Sequence, residues 1–303
     1  MYGCDHMDKV PATFARTIQE VFGERGAVWL DRLPATIANC ERRWSLTVGP
    51  PFELSYNYVA PAMRADGTDV VLKLGVPNPE LLSEIAALSL YDGCGIARLL
   101  ESDAEQGIML LERLKPGTPL VTLADDERMT AIAAQVMRQL WRPAPAEHTF
   151  PTVAGWAAGM QRLRAEFDGG TGPFSTRLVE QAETLFAELI ASMGEPMLLH
   201  GDLHHWNILS AEREPWLAID PKGLVGEAEY EVGALLRNPD LMPVQVLARR
   251  VDQLAEALGF DRDRIVAWGM AQGVLSAWWS YEDHGHGWEP TMVFAERMAT
   301  LMK

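Results

Sequence analysis

The chain has 303 residues, 48% of them hydrophobic, and a formal net charge of -16. That size and apolar content are enough for one large domain or two ordinary ones around a substantial core. So acidic a balance opposes a phosphate backbone, so nucleic acid is not expected as a partner, and it draws in small cations instead. No basic stretch runs into an apolar one at the start, and nowhere do about eighteen uncharged apolar residues run together, so no membrane association and a cytoplasmic location are expected. Cys4, Cys40 and Cys94 are odd in number and show no CxxC spacing, which fits a reducing compartment better than a disulfide framework.

From Val10 to about Trp44 the apolar spacing (Phe14, Ile18, Val21, then Trp29, Leu30, Leu33, Ile37) predicts amphipathic helices, with Gly23 and Gly26 between them and Pro34 as an interruption. Between Leu46 and Leu114 the texture changes to short β-rich runs, "LTV", "YNYVAPAM", "DVVLKL" and "IMLLERL", separated by turn pairs such as Asp66-Gly67 and Gln106-Gly107. An antiparallel sheet follows from that pattern. One helix interrupts it, with Asn78 as N-cap, Pro79 in the first position and Gly93 as the stop. After Pro116-Gly117 the chain turns helical, with segments expected near 125–141, 152–167, 175–193, 244–259, 262–284 and 289–302. The expected organisation is an α+β, two-lobed chain: an N-terminal lobe over 1–113, comprising a helical lead-in at 1–45 and a β-rich part, and a helical lobe over 114–303.

Only residues 197–221 break the helical texture, with strand-like "MLL", "NIL" and "WLAI" and the loops around them. In "HGDLHHWN" Asp202 precedes Asn207 by five residues, and "WLAI" then delivers Asp220 into "DPKG". Phosphoryl transfer needs a carboxylate to take the acceptor hydroxyl's proton and oxygen ligands for the magnesium on the nucleotide. Asp202 suits the first task, Asn207 and Asp220 the second, and the order is that of the kinase signature. The competing reading is a zinc site on His200, His204 and His205, but no HExxH helix or cysteine partner accompanies them.

A kinase-like site requires further parts upstream. Lys73 interrupts the burial-ready strand "DVVLKL", and the following helix offers Glu84 to pair with it, with Glu80 one turn away as the other choice. Alone, Lys73 reads as a strand-edge lysine keeping its head in water. Adenine is expected between the two lobes against "IMLLERLKPG", on backbone groups of Glu112, Arg113 and Leu114. The turn "GPPFELSYN" is expected over the phosphates through Ser55 or nearby backbone, although it lacks a GxGxxG pattern.

"LHGDLHHWNIL" followed by "WLAIDPKGLVGEAEYEVGALLRNP", with "MLLERLKPGTPL" upstream and "GMAQGVLSAWWSYEDHG" downstream, resembles the aminoglycoside phosphotransferase superfamily, and within it the streptomycin 6-kinase and hydroxyurea phosphotransferase branch. The resemblance implies a protein-kinase-like fold with ATP and Mg²⁺ as cofactors. It implies Lys73 on the nucleotide phosphates, Glu84 as its ion partner, Asp202 as catalytic base, and Asn207 and Asp220 as metal ligands. Streptomycin is the leading acceptor, with hydroxyurea or another small metabolite as the alternative and an inactive nucleotide-binding module as a remote one. Acids for streptomycin's guanidinium groups are sought at Glu227, Glu229, Glu231, Glu282 and Asp283, with Glu227, Glu231 and Glu282 as the candidate set. Trp278, Trp279 and Tyr281 either wall such a pocket or belong to the core.

Overall fold

In the computed structural model residues 10–302 are described, so Cys4 and the start of the expected lead-in lie outside the described residues. Two compact units meet in sequence at Lys115 and Pro116.

The first unit begins with α1 (Ala12–Trp44), which departs from helical geometry at Gly23 and runs through Pro34. Pro34 therefore does not interrupt the helix as expected. A proline in mid-helix removes one donor, but packing of the surrounding apolar stripe overrides that loss. Phe14, Ile18, Leu33, Ile37 and Cys40 of α1 form one core with the sheet residues Val48, Ala60, Val70, Leu72 and Leu74. That sheet comprises β1 (Leu46–Val48), β2 (Tyr58–Arg64), β3 (Asp69–Leu74), β4 (Leu99–Asp103) and β5 (Ile108–Glu112). It is antiparallel with spatial order β1-β2-β3-β5-β4. Gly67, at a φ of 87°, supplies the left-handed turn that joins β2 to β3.

Between β3 and β4 lies α2 (Pro79–Tyr91), whose Asn78 side chain accepts from the N–H groups of Glu80 and Leu81. That cap satisfies donors with no intrahelical partner, and Pro79 has none to satisfy. The side-chain alternation of β3 turns Val70, Leu72 and Leu74 into the α1 core and puts Lys73 on the opposite face.

The second unit contains β6 (Pro116–Pro119), α3 (Asp126–Leu140), β7 (Arg142–Pro143), α4 (Val153–Ala157), α5 (Gly159–Glu166) and α6 (Thr176–Ala191). There follow β8 (Met197–Leu199), β9 (Ile208–Ala211), β10 (Trp216–Ala218), β11 (Leu224–Gly226), α7 (Ala228–Arg237), α8 (Val244–Leu258), α9 (Arg262–His284) and α10 (Glu289–Thr300). Two small sheets, β10-β9-β6 and β11-β8-β7, carry the loops between them.

α9 is the axis of this unit, buried from Ile265 to Ala277 on nearly every side. Asp261 caps it by accepting from the Arg264 N–H at 2.9 Å, and Gly285 ends it in the left-handed region. Trp278 is 3% exposed and stacks on Tyr281, while Trp279 meets Trp156 edge to face at 5.2 Å. Of the two roles open to this aromatic group, core packing is the one the structure gives to Trp278. Among the described residues, no helix is long and apolar enough to cross a membrane.

Candidate active site

Lys73 and Glu84 meet in the first unit, with Nζ 2.6 Å from Oε1 and 2.8 Å from Oε2. Both side chains are nearly shut off from solvent, at 6% and 7% exposure. An ion pair so dry is costly to assemble and holds only with close geometry, which the two short bonds supply. Glu80 is exposed, so the choice between the two glutamates falls on Glu84. Ser55 lies in the exposed turn between β1 and β2. The Glu112 N–H donates to the Arg98 carbonyl at 2.9 Å and its side chain accepts from the Arg98 N–H, so this residue is engaged at the strand end. Leu114 is buried just beyond β5.

The loop after β8 is fastened from beneath. His200 is fully buried; its Nε2 donates to the Ile219 carbonyl at 2.8 Å and its Nδ1 accepts from the Asp202 N–H at 3.2 Å. A carbonyl can only accept, so the proton sits on Nε2. Burial pushes the pKa of His200 down to about 4, which keeps the ring neutral and in this tautomer. The His200 carbonyl accepts from the Lys222 N–H at 2.7 Å, tying the loop to the segment that follows Asp220.

Glu231 completes the fastening. Its Oε2 accepts from the His200 N–H at 2.6 Å and its Oε1 from the Gly201 N–H at 2.9 Å, with the side chain buried in α7. Desolvation raises its pKa to about 7, opposed by those two donors. The loop that carries Asp202 therefore hangs on a carboxylate from a helix reached some thirty residues later in the sequence.

Asn207 lies beside both ends of this arrangement. Its side-chain N–H donates to the Asp202 carbonyl at 3.0 Å, which orients the amide oxygen away from that contact. Its backbone carbonyl accepts from the Ile219 N–H at 2.9 Å, and β9 pairs with β10 up to Ile208 opposite Ala218. The mouth of that hairpin thus places Asp220 next to Asn207. Asp220 adopts a φ of 62°, a left-handed conformation that aspartate tolerates better than most side chains. The structure so brings together Asp202, Asn207 and Asp220 in the second unit, and Lys73 with Glu84 in the first.

Three of the acids sought for a guanidinium-bearing acceptor, Glu227, Glu231 and Glu282, already have partners. Both oxygens of Glu231 are taken by backbone donors, which makes it a brace of the loop and corrects its expected role as a substrate acid. Glu227 receives a bidentate contact from Arg264, both bonds at 2.7 Å, and a third from the Trp268 indole N–H at 2.8 Å. It joins α7 to α9 and is 9% exposed. Glu282 receives a bidentate contact from Arg162 at 2.7 and 2.9 Å on a partly exposed surface.

Sequence spacing missed both α7 and the role of Glu231. The signal was present in an acid embedded in the apolar run "YEVGALL", where a charge needs a buried partner. The zinc reading finds no geometry: among the described residues, no three His, Cys, Asp or Glu side chains form a group able to hold a metal. His205 is fully buried, and neither of its ring nitrogens has a hydrogen-bond partner.

A five-stranded antiparallel unit followed by a helical unit, with a strand lysine on a helix glutamate in one and an aspartate–asparagine loop in the other, is the architecture of the protein-kinase-like phosphotransferases. An aminoglycoside phosphotransferase, solved as a thermostable mutant in ternary complex with ADP and hygromycin B, shares the fold with a TM-score of 0.60 over 87% of this chain and 96% of that one, at 13% identity. The chain belongs to the aminoglycoside/hydroxyurea antibiotic resistance kinase family, whose pattern it matches over residues 43–284. It is 35% identical to a streptomycin 6-kinase of Streptomyces glaucescens over 94% of this chain and 95% of the relative. It is 36% identical to a hydroxyurea phosphotransferase of Kitasatospora aureofaciens over 91% and 81%.

Proposed function

We propose that the protein transfers the γ-phosphoryl group of ATP to a hydroxyl of streptomycin. The observation that carries this reading is the fastened loop, which presents Asp202 beside Asn207 and the hairpin-mouth Asp220, in a chain about one-third identical to a streptomycin 6-kinase along nearly its whole length.

In this reading Asp202 accepts the proton of the attacking hydroxyl, because an alcohol is a poor nucleophile until a base takes its proton in the transition state. Lys73, oriented by Glu84, meets the nucleotide phosphates. Adenine rests on backbone at Leu114, since the Glu112 N–H is already spent on Arg98. Ser55 covers the phosphates from the exposed turn.

The donor set at Asn207 and Asp220 is one amide oxygen and one carboxylate, hard ligands of the kind Mg²⁺ takes in company with water and phosphate. When bound, the ion would neutralise charge on the transferring group. No part of this site calls for a histidine ligand.

A coupled ATP-turnover screen against streptomycin, hydroxyurea and several aminocyclitols tests the reading. Streptomycin-dependent turnover is expected, and its absence would overturn the acceptor assignment. The second reading, hydroxyurea as acceptor, is favoured by the comparable identity to a hydroxyurea phosphotransferase, and the same screen separates the two.

A further inference from the structure

The loop that holds Asp202 carries a large apolar side chain in an unusual position. Trp206 is 54% exposed, although it lies one residue before Asn207 and between His205 and Ile208, which are both fully buried. From Gly201 to Trp206 burial alternates: Gly201, Leu203 and His205 are inside, while Asp202, His204 and Trp206 are the solvent-facing members. The contacts follow the same order. The Trp206 N–H donates to His204 Nδ1 at 3.3 Å, and His204 Nε2 stands 3.7 Å from Asp202 Oδ2. The Asn207 N–H, in turn, donates to the His204 carbonyl at 2.9 Å. The indole therefore stands exposed on a short, pinned turn, a few residues after the half-exposed Asp202.

Exposing an indole forgoes the burial that a tryptophan ordinarily gains, and within a few residues of a catalytic carboxylate such a plate is available to an incoming molecule. Streptomycin bears planar guanidinium groups, and tryptophan has the best aromatic face for such a cation. The acids first sought for that task, Glu227, Glu231 and Glu282, are occupied by Arg264, backbone donors and Arg162. Trp206 offers a recognition element of another chemistry, an exposed aromatic in the loop itself.

We propose that the Trp206 indole is a specificity-determining plate of the acceptor site, stacking on a guanidinium group of the acceptor beside Asp202. This rests on the streptomycin reading above. The contact orients the acceptor's hydroxyl toward the base and contributes to binding in ground and transition states alike, so its loss should appear in the acceptor's KM more than in kcat.

The test compares wild type with Trp206→Ala, Trp206→Leu and Trp206→Phe in steady-state phosphorylation of streptomycin. Calorimetric titration of streptomycin in the presence of a non-hydrolysable ATP analogue accompanies it. Trp206→Ala and Trp206→Leu are expected to raise the streptomycin KM and Kd about tenfold, a size consistent with a desolvated cation–π contact. The ATP KM and the melting temperature should stay close to wild type, because the side chain is exposed. Trp206→Phe should recover most of the loss, which a merely space-filling role would not predict while Leu fails. Wild-type values in Trp206→Leu, with wild type active on streptomycin, would remove Trp206 from the acceptor site and leave the function reading intact. Wild type that neither binds nor phosphorylates streptomycin would remove the acceptor reading and this assignment together.

Discussion

The two oxygens of Glu231 receive the N–H groups of His200 and Gly201 at 2.6 and 2.9 Å, so one buried side chain of α7 sets the height of the loop that bears Asp202. Replacing Glu231 with Gln keeps the volume but turns an amide N–H₂ against one of two backbone donors. A fall in kcat of about 100-fold is expected, because small misplacement of a reacting group costs that much. Single-turnover kinetics with saturating ATP would measure it, and an unchanged kcat would show that the loop keeps its geometry without the carboxylate.

The same residue predicts a pH dependence of stability. Its folded pKa of about 7 lies above the ordinary 4.5, so the folded state holds a proton that the unfolded state has lost between those values. Stability contributed by this group is complete below about pH 4.5 and falls as pH rises toward 7. Urea unfolding of wild type and Glu231→Gln across that window should show their stability difference shrinking as pH rises. A difference that is flat or grows with pH would contradict the assignment.

Asp202→Ala should lower turnover by about 10²- to 10⁴-fold, the usual contribution of a general base. The ATP dissociation constant should change little, since the variant removes no nucleotide contact. Nucleotide titration beside the turnover assay checks both halves, and retained turnover would remove Asp202 from the base role.

Glu84→Gln should cost about 3 to 5 kcal/mol, because it removes the carboxylate that Lys73 pairs with in a dry site. Thermal unfolding measures this. The ATP KM should rise with it, as Lys73 loses the partner that holds its ammonium in place.

Glu227 and Glu282 separate by burial. Glu227→Gln removes a partner from Arg264 and Trp268 inside the second unit and should destabilise it by about 3 kcal/mol. Glu282→Gln breaks a half-exposed pair with Arg162 and should cost under about 1 kcal/mol. Denaturant midpoints of the two variants give the comparison, and equal losses would contradict it.

The antiparallel sheet and the capped helix α2 were legible because alternation, Asp66-Gly67 and Asn78-Pro79 are local signals. Asp202, Asn207 and Asp220 were legible as an ordered set, and the structure brings them together. Less legible was α7, whose short helical run follows directly on the loops and reads as their continuation. Pro34 misled in the opposite sense, since the helix it should have ended continues under tertiary packing. Acids were the least readable residues. A sequence records that Glu227, Glu231 and Glu282 are charged, but their partners lie 30 to 120 residues away. Which acid faces water, a backbone or an arginine is decided only by the fold.

The hairpin of β9 and β10 has a consequence for how such chains vary. Asn207 and Asp220 stand at its open end, tied by the Ile219 N–H to the Asn207 carbonyl, whereas residues 212–215 form its far tip. The distance in space between the two oxygen donors is set at the mouth, and the number of residues between them is set at the tip. Insertions or deletions in the turn would change the interval counted along the chain while leaving the donors side by side. Spacing along the chain is therefore a poor measure of kinship for this pair, and the paired strands that end on them are the better one.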